Sequence, residues 1–358
     1  MLEHLHYYNE QFKTFLSTID MNSLHSVVLD MFCIDTADVC MNLGVPVYMF
    51  FIGSASCLSA LTQLPTLIAG RQTGLKELEE TPLNFVGIPP MPASHLIKEL
   101  LEHPEDEICK AMMKIWKRNT ETMGVLVNTF ELLESRAVLS LRGPLCIPER
   151  ILPLIYCVGP FVSKGAMDDD KAERNECLEW LDAQPDRSVV FLCVWSKAVL
   201  SAEQLKEIVV GLERSRQQFL WSMRMPGESD RPEKYLEVRH ELELDALLPQ
   251  GFLERTKGKG LVVKSWAPQM DVLSHRATGL FVAHCGWNLV LEAIVGGDVD
   301  VVSATGSGAE NEQDEVETKV RLVIEGEEGR QLRARVAARR EEAEAALEEG
   351  GPSRVAFA

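Results

Sequence analysis

The chain has 358 residues, 46% of them hydrophobic and 25% charged, which is typical of a globular protein of about two domains. Its 54 acidic and 36 basic residues give a net charge of −18, which argues against nucleic acid or an anionic membrane as a partner. Nine cysteines without a CxxC pair indicate neither a metal site nor a disulfide framework, so we expect a cytoplasmic protein. The first residues carry no apolar signal-peptide core.

Short apolar runs alternate with helical patterns through the first half of the chain. We predict strands at 25–30, 45–51, 124–130 and 153–160, and helical segments at 35–44, 54–64, 94–118 and 131–139. The uncharged run from Gly44 to Gly70 is long enough for a membrane span. Its prolines and polar residues favour a buried strand that leads into a helix.

The same alternation resumes after a polar segment at 162–175. We predict strands at 188–195, 218–224, 260–266, 279–284 and 299–304, helices at 201–215, 268–275 and 285–295, and a charged helical tail over 315–350. This order predicts parallel sheets with helices on both faces, in two Rossmann-like domains that face a cleft. We place an N-terminal domain over 1–161, a linker over 162–175 and a C-terminal domain over 176–358.

The most informative stretch is WAPQMDVLSHRATGLFVAHCGWNLVLEAIVGG, residues 266–297. His284 follows a predicted strand at the carboxyl edge of a sheet, where open α/β sheets bind ligands, and a glycine turn then starts a helix whose N–H groups attract phosphate. Trp266 ends the preceding strand, where an indole can stack on a planar base. Glu292 lies in the helix, placed to accept hydrogen bonds from ribose hydroxyls. These features favour a nucleotide-linked ligand.

This stretch resembles the signature box of plant family 1 UDP-glycosyltransferases in residue type and spacing. Other segments resemble the same family, so that nearly the whole chain is covered: 27–51, 124–138, 176–193, 201–221 and 333–353. The likeness is greatest to the branch that glycosylates small phenols and flavonoid-like acceptors. It implies the GT-B fold, with the acceptor in the N-terminal half and the UDP-sugar in the C-terminal half.

The resemblance also implies roles for individual residues. Trp266 would stack on uracil, the Ala267 backbone would bond its edge, and Gln269 with Glu292 would hold the ribose. His284, Asn288 and Ser196 would contact the diphosphate. Two further residues of the same stretch are donor-binding candidates: Gly286 and Trp287. Ser54 is a candidate near the sugar, and Asp30 matches the acid that orients a catalytic histidine.

The family reaction is an inverting displacement by the acceptor hydroxyl on UDP-glucose or a related sugar, with no metal or other cofactor. From this resemblance we expect a monomer that binds a UDP-sugar and a small acceptor.

Four departures from the family pattern suggest a chain truncated at its N-terminus and internally deleted. The catalytic histidine has no match, since His4 and His6 precede a helix and His25 lies at the wrong end of its strand. A Trp195-Ser196-Lys197 turn replaces a glycine turn, and Leu289 replaces a serine at a helix start. After Gly297 the sugar-binding acid-Gln segment is missing, and we take Glu312-Gln313 as coincidental. We therefore expect low solubility and impaired transfer.

Two alternatives remain. A catalytically inactive binder of UDP or UDP-sugar would need only the nucleotide-binding residues. A nicotinamide dehydrogenase is disfavoured because no GxGxxG follows a first strand.

Overall fold

The computed structural model describes residues 8–20, 22–69, 75–78, 80–147, 150, 152–162, 175–195, 202–224, 248–263, 267–297, 299–303 and 312–358. The chain divides into two compact units. The first comprises Met1–Phe161 with Ala345–Ala358, and the second comprises Val162–Glu344.

The first unit is built on a parallel sheet whose strands follow one another in space as they do in the sequence, in the order β1-β2-β5-β6. The strands of this unit are β1 (Val27–Asp30), β2 (Val47–Phe51), β3 (Pro82–Leu83), β4 (Met91–Pro92), β5 (Gly124–Val127) and β6 (Leu154–Cys157), of which β3 and β4 form a separate antiparallel pair. Its helices are α1 (Asn9–Leu16), α2 (Ile34–Asn42), α3 (Ala55–Ala69), α4 (Lys98–Glu102), α5 (Glu107–Arg118) and α6 (Ser135–Arg142). The four strands predicted for this half are confirmed, although they are shorter than their apolar runs: the runs at 124–130 and 153–160 contain strands only over Gly124–Val127 and Leu154–Cys157.

Two differences from the predicted helices occur at prolines. The segment at 94–118 contains two helices, because Pro104 cannot donate a backbone hydrogen bond and His103 before it leaves the helical region, with φ −137° and ψ 54°. Helix α3 instead continues through Pro65 to Ala69. No helix within the described residues is long and apolar enough to cross a membrane.

The two faces of the first sheet differ in burial. Side chains on one face, such as Met49, Val127 and Cys157, are buried in a core formed with the helices. On the other face Val28 and Leu154 of the two outer strands are 53% and 65% exposed, whereas Leu126 of the inner strand β5 is 8% exposed. Parallel sheets are normally covered on both faces, so exposed apolar side chains on the outer strands of such a sheet are unusual.

The second unit contains a five-stranded parallel sheet in the order β11-β10-β7-β8-β9. Its strands are β7 (Val189–Trp195), β8 (Gln218–Arg224), β9 (Gly260–Val263), β10 (Thr278–Ala283) and β11 (Asp300–Ser303). Its helices are α7 (Glu176–Asp182), α8 (Ala202–Ser215), α9 (Phe252–Arg255), α10 (Gln269–Ser274), α11 (Trp287–Gly296), α12 (Glu312–Glu325) and α13 (Glu327–Leu347), the last extending into residues of the first unit. Most of the predicted linker, 163–174, lies outside the described residues.

Helices cover both faces of this second sheet, as the strand–helix alternation predicted. One core contains Val209 of α8 and Val320 and Val323 of α12, so the charged helical tail also contributes apolar residues to the core. The other core contains Val272 of α10 and Ala293 of α11, packed against Phe191 and Phe281, whose rings stack 5.2 Å apart. Alternate residues of strands β7 to β10 therefore enter opposite cores.

The end of the chain differs from the predicted domain boundary of 176–358. Residues from Ala345 onward group with the first unit, and a short helix, α14 (Pro352–Phe357), packs against β6. The ring of Phe357 lies 5.8 Å from that of Phe161, in an edge-on arrangement. These aromatic and strand contacts, which local periodicity does not reveal, place the last helix with the first unit.

Candidate nucleotide-binding site

The topological switch point of the second sheet lies between β7 and β10. From β7 the strand order continues through β8 and β9 on one side, whereas β10 and β11 lie on the other. The pairing is parallel, with Cys193 opposite Ala283, so both strands end at the same edge. Open α/β sheets bind ligands outside the carboxyl ends of their strands at such a point. The turn that begins at His284 therefore leaves the sheet where a ligand site is expected.

The turn between β10 and α11 brings a histidine ring against a helix N-terminus. Cys285 has φ 53°, and Gly286 is the N-terminal capping residue, with no side-chain cap in the described part of this turn. A Cβ atom on Gly286 would lie 2.7 Å from His284 Nε2, so the ring packs directly over the glycine. Backbone N–H groups and the dipole at this end of the 10-residue helix favour an anion.

The His284 side chain contains a buried polar atom whose surroundings bear on ligand binding. Its Nδ1 is buried and has no hydrogen bond to any described residue. Buried polar atoms in folded proteins are nearly always paired, so an unpaired atom calls for an explanation, and a bound ligand is one of several. An oxygen-rich group at the start of α11 fits this requirement.

A second cluster of polar side chains lies at the same edge of the sheet. Gln269 is the first residue of α10, and its Nε2 donates a hydrogen bond to Glu292 of α11. Its Oε1 accepts a hydrogen bond from the Cys193 thiol over 3.2 Å. The carboxylate, amide and thiol thus form one chain of hydrogen bonds across two helices and a strand.

Close packing of α10 and α11 brings Gln269 and Glu292 together. A Cβ atom on Gly296 would lie 3.0 Å from the Cβ of Leu273, and one on Gly297 would lie 2.6 Å from the backbone oxygen of Leu273. Side chains at these two positions would push the helices apart. Gly296 and Gly297 therefore allow the close approach of α10 and α11 that brings Gln269 near Glu292.

Burial raises the pKa of Glu292, and the hydrogen bond from Gln269 partly offsets this effect. Ionisation of a partly buried carboxyl group is costly unless donors surround it. Ligand hydroxyl groups would supply such donors. The site is therefore suited to a group that donates hydrogen bonds to a carboxylate, as a ribose does.

The remaining residues predicted for the donor site divide into those that the structure describes and those that it does not. Ala267 is buried beside α10, Trp287 is partly buried and Asn288 is exposed at the start of α11. Trp266 and Ser196 lie outside the described residues. Leu289, where the family has serine, packs partly against the core beside α10 and α11. The structure thus brings Gln269, Glu292 and the start of α11 to one edge of the sheet.

The candidates in the first unit are occupied by local contacts. Asp30 ends β1, is exposed, and accepts a hydrogen bond from the Phe32 N–H over 2.9 Å. The hydroxyl of Ser54 accepts one from the Cys57 N–H over 3.0 Å, which caps α3. His25 precedes β1, at the end opposite to Asp30, as the sequence indicated.

Sequence reasoning missed two residues whose side chains form hydrogen bonds to distant parts of the chain. Cys193 was unremarkable in the sequence because an apolar strand commonly contains a cysteine. Glu134 was also missed, although its carboxylate accepts hydrogen bonds from the N–H groups of Ala55 and Ser56 over 2.8 and 2.9 Å. Only the folded chain brings these residues to their partners, 76 and 79 positions away.

Comparison with known proteins gives the family directly. The family profile described as "UDP-glucoronosyl and UDP-glucosyl transferase" matches residues 94–304, more than half of the chain. An anthocyanidin 5,3-O-glucosyltransferase from a Rosa hybrid cultivar is 37% identical over 355 residues, which cover 93% of this chain and 73% of that protein. The chain belongs to the UDP-glycosyltransferase family.

Solved structures of this family share its fold. A UDP-glucosyltransferase from Polygonum tinctorium capable of glucosylating indoxyl, in complex with 3,4-dichloroaniline, matches with TM-score 0.85 and 31% identity, over 100% of this chain and 79% of that one. A UGT transferase from Siraitia grosvenorii in complex with UDP matches with TM-score 0.83 and 31% identity, over 99% and 81% of the two chains. The protein is therefore a UDP-glycosyltransferase with the GT-B fold, as its sequence predicted.

Proposed function

We propose that this UDP-glycosyltransferase binds UDP-glucose at the switch point of its second sheet and glucosylates a hydroxyl group of a small phenolic or flavonoid-like acceptor. The observation that carries the proposal is the Gln269–Glu292 pair beside the start of α11. The carboxylate of Glu292 can accept hydrogen bonds from ribose hydroxyls, and the N–H groups at the start of α11 can bind a diphosphate. The anthocyanidin and indoxyl specificities of two relatives support an aromatic acceptor.

The reaction would proceed by direct displacement. The acceptor oxygen forms a bond to the anomeric carbon, and the bond from that carbon to the diphosphate oxygen breaks, with its electron pair leaving on UDP. The hydroxyl proton would pass to water, because we find no match for the catalytic histidine that Asp30 would orient, and we therefore expect transfer to be impaired. The start of α11 and His284 would stabilise the negative charge that develops on the leaving diphosphate.

A second candidate function is nucleotide binding without transfer. Leu289 supplies no hydroxyl at the start of α11, and residues 304–311 alone connect β11 to α12. Glu312 and Gln313 form the first turn of α12, consistent with our view that this acid-Gln pair is coincidental. Leu289 would remove one hydrogen bond to the diphosphate, and the short connection would change the sugar end, while Gln269 and Glu292 would remain available to the ribose.

Calorimetry with UDP and a product assay with UDP-glucose and a flavonoid test both functions on the same preparation. Binding together with a glucoside product supports the enzyme, and binding without product supports the second candidate. Failure of UDP to bind would refute both. A Gln269→Ala, Glu292→Ala double variant should lose binding, whereas exchanging the exposed Lys98 on α4 for alanine should not. We also predict a cytoplasmic monomer. Size-exclusion chromatography with light scattering would test the oligomeric state.

A further inference from the structure

We propose that Cys193 is a positioning residue: its thiol fixes the orientation of the Gln269 amide, and through it the ability of the site to recognise ribose hydroxyl groups. The inference rests on the proposed nucleotide site. Nothing in the sequence pattern assigns a role to this cysteine, which occupies an otherwise apolar strand.

The geometry determines which way the amide faces. The Cys193 thiol donates to Gln269 Oε1 over 3.2 Å, and Gln269 Nε2 donates to Glu292. Reversing the amide would place its oxygen against the carboxylate and its N–H groups against the thiol. An ionised carboxylate only accepts hydrogen bonds, so the reversed orientation would pair two acceptors.

The strand supplies the rigidity that the glutamine lacks. Cys193 pairs with Ala283 on β10 and with Ser222 on β8, so hydrogen-bonded strands flank it on both sides. Gln269 has a long side chain that stays mobile unless both of its polar ends are held. With the thiol holding one end, Glu292 keeps its remaining lone pairs directed to a ligand.

The thiol could instead serve only as apolar filling, since Cys193 also packs against the core that contains Val272 and Ala293. Two substitutions separate these roles. Cys193→Ser retains a hydrogen-bond donor but removes apolar volume, and Cys193→Val retains volume but removes the donor. A positioning role predicts recovery in the serine variant, whereas filling predicts recovery in the valine variant.

The measurement is the ratio of the dissociation constants of 2′,3′-dideoxy-UDP and UDP, obtained by calorimetry. This ratio reports hydroxyl recognition and is insensitive to a general loss of folded protein. We expect Cys193→Val to lower the ratio by about tenfold, the effect of one hydrogen bond to a charged group, and Cys193→Ser to stay within about twofold of the natural chain. Cys177→Val is the matched control, because Cys177 is buried in the same core without an observed contact to Gln269.

The outcomes separate the inference from the proposed function. If the natural chain does not distinguish the two nucleotides, the proposed ribose site itself is wrong. If the natural chain distinguishes them and Cys193→Val does so equally well, only the positioning role is refuted. The positioning role is also refuted if Cys193→Ser lowers the ratio of dissociation constants as much as Cys193→Val does. Should Cys193→Val fail to fold, Cys193→Thr against Cys193→Ala provides the same comparison of donor against no donor.

Discussion

A methyl group at Gly286 should weaken UDP binding selectively. The backbone of Gly286 has φ −59° and ψ 147°, which alanine adopts without strain, so the substitution tests the space around the residue alone. The new Cβ would lie 2.7 Å from His284 Nε2 and 3.2 Å from its Cδ2, compared with about 3.5–4.0 Å for a favourable contact of carbon atoms. The imidazole must therefore move by roughly an ångström.

The magnitude follows from what this movement changes. Crowding of this kind costs about 1–3 kcal/mol of folding stability, and the lower backbone entropy of alanine in the unfolded chain returns about 0.4–1 kcal/mol. Displacement of His284 should remove one hydrogen bond to the diphosphate. A bond to a charged group contributes about 1.5–3 kcal/mol, or roughly 10- to 150-fold in affinity.

Calorimetry with UDP and with uridine provides the assay, because uridine lacks the diphosphate. We expect Gly286→Ala to weaken UDP binding and leave uridine binding within about twofold. In a His284→Ala background the same substitution should have little further effect, since the colliding ring is absent. Equal losses for UDP and uridine, or no loss for either, would refute the proposed diphosphate contact.

Three further predictions concern other residues. Glu292→Gln should raise the melting temperature at neutral pH, because burial raises the pKa of the Glu292 carboxyl and disfavours its ionised form. The gain should disappear below pH ~4, where the carboxyl is protonated in the folded and the unfolded chain alike. The variant should also recognise ribose hydroxyl groups less well. A melting temperature unchanged at pH 7 would contradict the burial effect. Leu289→Ser should tighten UDP binding by about 2- to 12-fold through one added hydrogen bond, measured by calorimetry, at some loss of stability because Leu289 packs against the core. Val28→Lys with Leu154→Glu should reduce fluorescence of a hydrophobic dye and retain the melting temperature, since these side chains are 53% and 65% exposed; unchanged fluorescence would show that the face does not bind the dye.

The sequence by itself determined the architecture and the nucleotide end of the site. β-branched runs identified the strands and the 3.6-residue periodicity identified helices such as α12, because both patterns depend on neighbouring residues in the chain. The order of the elements then predicted parallel sheets, and residues 266–297 indicated the family. The pattern did not give every helix boundary: the helical segments predicted over 94–118 and 315–350 are interrupted near Pro104 and Gly326, and α3 continues through Pro65.

Only the tertiary structure decided which distant residues complete each other. The Cys193 contact to Gln269, the capping of α3 by Glu134 and the grouping of Ala345–Ala358 with the first unit all join segments far apart in the sequence. Side-chain hydrogen bonds and aromatic packing act over a few ångströms in space and leave no period in the chain. The same is true of the buried Nδ1 of His284, which has no hydrogen-bond partner among the described residues and whose environment depends on how the turn places the ring over Gly286.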